Sequence, residues 1–202
     1  MRTKSFNTPD VQAILSGRKT MFREVAKMQP GEGEYYEEIV HNEFAYISIG
    51  GMSGPYIGRF QQGNIIAVKE SWCYVMLDHA PDLLEGMDSQ IVYKASVHPD
   101  WMEYAKEKYG YKWHSPVTMP REAHRIFLEV VSVKVERLQD ISRIGAINEI
   151  GKTFESTSNS TCYIANKIRY NNPVSAFQAL HLDQWQRNEW VFVYEFRRVE
   201  KP

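Results

Sequence analysis

Hydrophobic and polar positions divide this chain into short segments of differing period. Val11, Ile14 and Leu15 fall at helical spacing, behind Thr8-Pro9-Asp10 and ahead of Gly17. A hydroxyl N-cap at Thr8, proline at the first helical position and an acid after it predict a helix start, and Gly17 predicts its stop. Lys19 and Thr20 then lie in a turn leading to an extended run from Met21 to Val25. Asn64 to Val68 and Gln90 to Ala95 read as strands. The clearest strand runs from Arg125 to Leu138, where Ile126, Leu128 and Val130 alternate in one phase and Val131, Val133 and Val135 in the other. A strand that exchanges its buried face must bend or bulge, here at Val130-Val131. Asp140 to Glu149 is predicted helical with Asp140 or Ser142 as cap, Val174 to Trp185 has helical spacing at Phe177 and Leu180, and Trp190 to Val199 reads as a closing strand.

Two stretches lack a clear period. Residues 27 to 62 are expected to be an insertion holding one hairpin around Phe44 to Ile49, and 152 to 172 a variable loop rich in Ser, Thr and Asn. Strands interspersed with short helices argue an α+β fold, and 202 residues argue one domain.

Composition narrows the function classes. With 24 Lys and Arg against 25 Asp and Glu, the net charge of -1 provides no global attraction to a polyanion, so any nucleic-acid contact is local. Cys73 and Cys162 are too few for a disulfide framework and fit a reducing compartment. A charged N-terminus without an apolar core and the absence of a run of about 18 apolar residues lead us to expect a cytoplasmic protein with no membrane partner. The six histidines show no metal-ligand pairing, so neither a metal nor another cofactor is expected. Gly50 to Gly54 lacks the lysine of a phosphate loop.

Candidate chemistry concentrates in two places. Arg18, Lys19 and Arg23 place three cations within six residues, and in an extended segment Lys19 and Arg23 share a face suited to a phosphate or a polarised carbonyl. A solvated basic turn is the commoner fate of such residues and explains the spacing without a ligand. Glu70 and Trp72 end the strand of 64 to 68; Glu70 could pair with Lys19 or Arg23, and Trp72 could stack on a base or lie in the core.

The segment Ala13 to Thr20 with the following Arg23, then Val68-Lys69-Glu70-Ser71-Trp72, resembles the ASCH-domain family of the PUA-like superfamily, especially its phage and prophage members. Met119 to Arg125, Val135 to Ile141 and Trp190 to Val199 are similar to that group's later blocks. The resemblance covers most of the chain outside 27 to 62 and 152 to 172. It implies a small PUA-like β-barrel with short flanking helices, and a cleft suited to RNA or a nucleobase.

Some bacterial members that this core resembles are 4-acetylcytidine amidohydrolases. In those, a lysine directly after a Gly-Arg pair, a threonine three residues beyond it and a glutamate in the helix after the long strand are assigned the work. Lys19 matches the lysine, and Glu149 the glutamate. Phe22 stands where the threonine is expected and supplies no oxygen, leaving Thr20 as the substitute nucleophile. The first expectation is therefore a binding module for single-stranded RNA or a modified nucleoside. In it Arg18, Lys19, Arg23 and Glu70 line the cleft and Phe22 or Trp72 stacks a base. Alternatives are an amidohydrolase using Lys19, Thr20 and Glu149, and a phage accessory protein that contacts a host protein through 27 to 62 and its aromatic residues.

Overall fold

The computed structural model describes the chain except residues 28, 30–35, 42–43, 50–55, 77, 86–89, 152, 156–160 and 167. In chain order the elements are β1 (Arg2–Ser5), α1 (Thr8–Leu15), β2 (Met21–Val25), β3 (Tyr36–His41), β4 (Phe44–Ile49), β5 (Tyr56–Ile57), β6 (Ile65–Lys69), β7 (Trp72–Tyr74) and β8 (Ile91–Tyr93). There follow α2 (Trp101–Tyr109), β9 (Phe127–Arg137), α3 (Arg143–Ile150), β10 (Thr153–Glu155), β11 (Thr161–Ala165), β12 (Ile168–Tyr170), α4 (Pro173–Leu180), α5 (Leu182–Arg187) and β13 (Trp190–Val199). The fold is α+β. No helix among the described residues is long and apolar enough to cross a membrane.

Five strands form the central sheet in the order β1-β6-β9-β13-β2, antiparallel except for the β1–β6 pair. Alternation along β2 and β13 sorts the side chains between two apolar layers. Phe22, Phe192, Tyr194 and Phe196 join one core with Phe6, Val11, Ile14 and Phe60, while Met21, Val191 and Val193 join a second with Ile150, Tyr163 and Phe177. The helix α1 therefore packs on one face, and α3, α4 and β11 on the other. The expected bend is present: Glu195 of β13 pairs with Ser132 and Phe196 with Val130, leaving Val131 as the extra, exposed residue of a bulge in β9.

The sheet is open among the described residues, with β1 and β2 at its two edges. These edges nonetheless come within side-chain reach. Lys4 of β1 meets Glu24 of β2 at 2.6 Å, and the rings of Phe6 and Phe22 lie 5.7 Å apart. A pronounced curl of the sheet brings its ends together.

Several expectations change. Asn7, not Thr8, caps α1: its side chain accepts the Asp10 N–H at 2.9 Å. Ser142 rather than Asp140 caps α3, accepting from Gly145 at 3.0 Å. The expected loop at 152 to 172 contains the three-stranded sheet β10-β11-β12, whose Tyr163 and Ala165 are buried against α4. The helix expected over 174 to 185 breaks at His181, giving α4 and α5. Within 27 to 62 the expected hairpin is β3 with β4, joined by β5. The intervening residues 30–35, 42–43 and 50–55 lie outside the described residues. The pattern did not reveal β1, β7 or α2; β7, β8 and α2 surround a third core of Cys73, Val75, Val92 and Ala105, in which Cys73 is a free thiol.

His124 is 3% exposed, and neither of its ring nitrogens has a hydrogen-bond partner among the described residues. Burial, then the cations Lys69 and Arg121, hold its pKa below the ordinary value of about 6.5. As pH falls through that value the unfolded chain gains a proton that the folded chain refuses, so stability is lost. His124→Leu is accordingly expected to flatten the fall in stability between about pH 7 and 5. Urea denaturation of both chains across that range checks it, and equal pH slopes would refute the assignment.

Candidate functional site

Lys19 owes its position to the two ends of helices that meet beside it. Gly17 adopts a left-handed conformation (φ 72°), which lets Arg18 and Lys19 N–H groups return to the Ala13 carbonyl at 2.9 and 3.1 Å. The turn so formed docks on the C-terminal end of α3. There the Thr20 N–H donates to the Asn148 carbonyl at 3.1 Å, and the Lys19 ammonium donates to the Glu149 carbonyl. Both carbonyls are among those a helix end leaves unpaired, and a cation is favoured at that pole. Gly151 closes α3 with φ 59°, and a Cβ there would stand 2.7 Å from Ala13 Cβ and 2.9 Å from Lys19 Cβ. The close approach requires glycine.

Arg23 leaves β2 toward the same helix. One guanidinium nitrogen donates to the Glu149 carboxylate, the other reaches across β13 to Glu136 of β9 at 2.6 Å, and the Arg23 backbone N–H donates to Glu149 Oε1 at 3.0 Å. The arginine side chain is 3% exposed. Burial pushes the Glu136 carboxyl upward, but hydrogen bonds from Lys134 and Arg23 outweigh it and hold the group below the ordinary range. Charges this deeply placed depend on one another, because each left alone would retain its desolvation cost.

These groups face a cavity of about 360 Å³ at the seam between the edges β1 and β2. Its polar lining includes Asn7, Asp10, Lys19, Arg23, Glu149 and His181; Phe6, Phe22 and Phe177 contribute rings. Asp10, in the first turn of α1, stands 3.6 Å from the Lys19 ammonium. Lys4 lies over the Phe22 ring at 4.4 Å and remains tied to Glu24. Both cations of the inner wall are thus matched by carboxylates already in place.

Three sequence-predicted residues, Lys19, Arg23 and Glu149, converge on this cavity. Phe22 contributes to its wall, but at 3% exposure it belongs first to the core, with Tyr194 at 4.9 Å and Phe60 and Phe196 at 5.9 Å. Its truncation would cost about 3–5 kcal/mol. Thr20 and Arg18 are exposed and off the cavity wall; Arg18 donates to Ser16 at 2.8 Å.

Glu70 does not join Lys19 or Arg23. It is 1% exposed and receives both arms of Arg125 at 2.8 and 3.0 Å, under a guanidinium that lies 3.8 Å over Tyr93. Trp72 begins β7 and stacks on His114 at 4.9 Å, in the third core's neighbourhood. Neither residue lines the cavity.

Asp10, Phe177 and His181 were not singled out as site residues. Asp10 reads as an ordinary first-turn acid and Phe177 as a helix's apolar face, and their meeting depends on contacts between segments more than 160 residues apart. Among the described residues no group of His, Cys, Asp and Glu side chains is disposed to hold a metal. No protein-family model, curated protein or solved structure matches the chain.

Replacing Arg23 with Met leaves the buried Glu149 carboxylate without its cation and the half-buried Glu136 with Lys134 alone. R23M is expected to lose about 3–5 kcal/mol of stability. The double variant R23M/E149Q should recover part of that, because one stranded charge is gone. Urea melts at neutral pH measure both, and a loss below about 1 kcal/mol in R23M would mean the triad contributes no more than a surface pair.

Proposed function

We propose that the cavity is the cleft of a PUA-like, ASCH-type domain whose curled sheet approaches a barrel at the β1/β2 seam, and that it binds a neutral, base-sized heterocycle such as a modified nucleoside. The observation that supports this most is the pairing of the inner charges. Lys19 faces Asp10 and the Glu149 carbonyl, and Arg23 is shared by Glu149 and Glu136. A phosphate there would have to displace carboxylates from both cations and then sit beside them. A neutral ring with N–H donors and a carbonyl meets acceptors at Asp10 and Glu149 and donors at Lys19, without unbalancing the charge. The volume falls within the range of small-ligand sites, and rings of Phe6, Phe22 and Phe177 offer flat apolar walls.

Amide hydrolysis is a second reading, favoured by the presence of Lys19 and Glu149 on one cavity wall, although the Lys19 ammonium meets the Glu149 backbone carbonyl and the carboxylate is held by Arg23. Against it, the Thr20 hydroxyl lies off the wall and Phe22 occupies the place where the related enzymes carry threonine. Binding without covalent chemistry accords better with this lining.

Calorimetric titration with cytidine, 4-acetylcytidine and a short single-stranded RNA, each at about 50 and 200 mM salt, tests the proposal. Saturable binding of a nucleoside that changes less than about twofold with salt is expected, because no phosphate contact is made. Asp10→Asn should weaken it about tenfold through loss of a charged acceptor. Absence of nucleoside binding would end this reading, and release of acetate from 4-acetylcytidine, followed by mass spectrometry, would transfer it to the hydrolase.

A further inference from the structure

His181 stands where α4 breaks into α5, with φ −128° and ψ 37°. Its backbone is held on both sides: its N–H donates to the Gln178 carbonyl at 3.1 Å, and its carbonyl accepts from Trp185 at 2.8 Å. The imidazole lies against the Phe177 ring with centroids 4.4 Å apart, and the Arg23 guanidinium lies 5.5 Å from that same ring. Backbone and ring stacking therefore fix where the imidazole points before any ligand arrives. It forms part of the cavity wall.

Most of the charged lining is committed to partners within the protein: Lys19 to Glu149 and Asp10, Arg23 to Glu149 and Glu136, Lys4 to Glu24. His181 differs, since no described residue hydrogen-bonds its ring nitrogens. Four charged groups act on it from three other elements, Asp10 of α1, Lys19 of the following turn, Arg23 of β2 and Glu149 of α3. Burial lowers its pKa most; Glu149 and Asp10 oppose this, and Lys19 and Arg23 add to it, for a net value below the ordinary one. A pKa held below the ordinary value favours the neutral ring at pH 7. A neutral imidazole offers one N–H donor and one lone-pair acceptor that point in different directions, so the nitrogen facing the cavity meets a single polar group of a ligand's edge.

We propose that His181 is the residue that recognises the polar edge of the cavity's ligand, and that protonation of its ring ejects that ligand. The inference rests on the reading of the cavity as a heterocycle site. On protonation both ring nitrogens become donors, so a ligand N–H that had met the lone pair faces another N–H. A third cation also joins Lys19 and Arg23 on the inner wall, which weakens the hold on any group that donates hydrogen bonds.

Calorimetry with cytidine between pH 8 and 5 tests this on the wild-type chain, H181Q and H181F. Wild-type affinity is expected to hold between pH 8 and 7 and to decline once pH drops below the ordinary imidazole range. H181Q, which keeps a donor and an acceptor but cannot titrate, should bind a few-fold more weakly at pH 8 and show a flat profile. H181F keeps the stack and loses the edge, and should bind about tenfold more weakly at every pH. A wild-type chain that binds while H181Q shows the same decline overturns the inference and leaves the cavity's reading intact. A wild-type chain that binds no nucleoside at any pH removes both. Nitrogen-15 NMR of the wild-type imidazole, which requires no variant to fold, should show a neutral ring at pH 7 whose resonances move on addition of cytidine, and unmoved resonances in a binding chain would refute the contact.

Discussion

The placement of one buried guanidinium governs how this molecule is assembled around its cavity. Arg23 ties β2 to α3 through Glu149 and to β9 through Glu136, crossing β13 on the way. Two layers of side chains are brought into register by that single group. Because it is buried, it tolerates no partial arrangement: a carboxylate displaced from it would be stranded in a medium of low polarity. The end of α3 is held on its other side by the turn after α1, where Lys19 occupies the negative pole of the helix and Gly151 permits the contact. The cavity is what remains between these fixed points and the rings of Phe6, Phe22 and Phe177.

The same arrangement decides what chemistry the cavity can perform. Cations that would attract a phosphate from open solution are here already compensated, so the ligand we propose would be selected by hydrogen-bond pattern and shape instead of by charge. Phe22 illustrates the exchange. Its ring seals the core against the cavity where a hydroxyl would have offered a nucleophile, and Lys4 lies over it while reaching Glu24 across the seam. The edges of the open sheet thus meet only through side chains, with the cavity at that seam.

Local pattern made much of the framework legible. The phase change at Val130-Val131 announced the bulge at Val131, since a period of two leaves no other way to bury first one face and then the other. Short-range signals also located α1, β2 and β13. Asn7 and Thr8 are both competent caps for α1 by residue type, and only the backbone conformation distinguishes them in favour of Asn7. The polar Ser, Thr and Asn composition of 152 to 172 hides the sheet of β10 to β12, whose strands are stabilised by pairing and by α4. His181 broke a helix that its spacing alone would have continued.

Sequence by itself determined the elements whose signals are local: the glycine-ended helix, the extended Met21 to Val25, the kinked long strand and the cluster of cations beside Gly17. Tertiary structure alone decided partners. Glu70, close in sequence logic to the basic turn, went to Arg125, while Glu149 and Glu136 were drawn to Lys19 and Arg23 from distant segments and Asp10 came from the adjoining helix. The physical reason is that a buried charge must be matched in space, and any carboxylate the fold delivers will serve. Periodicity reports which face of an element is buried; it carries no record of what waits on the other side.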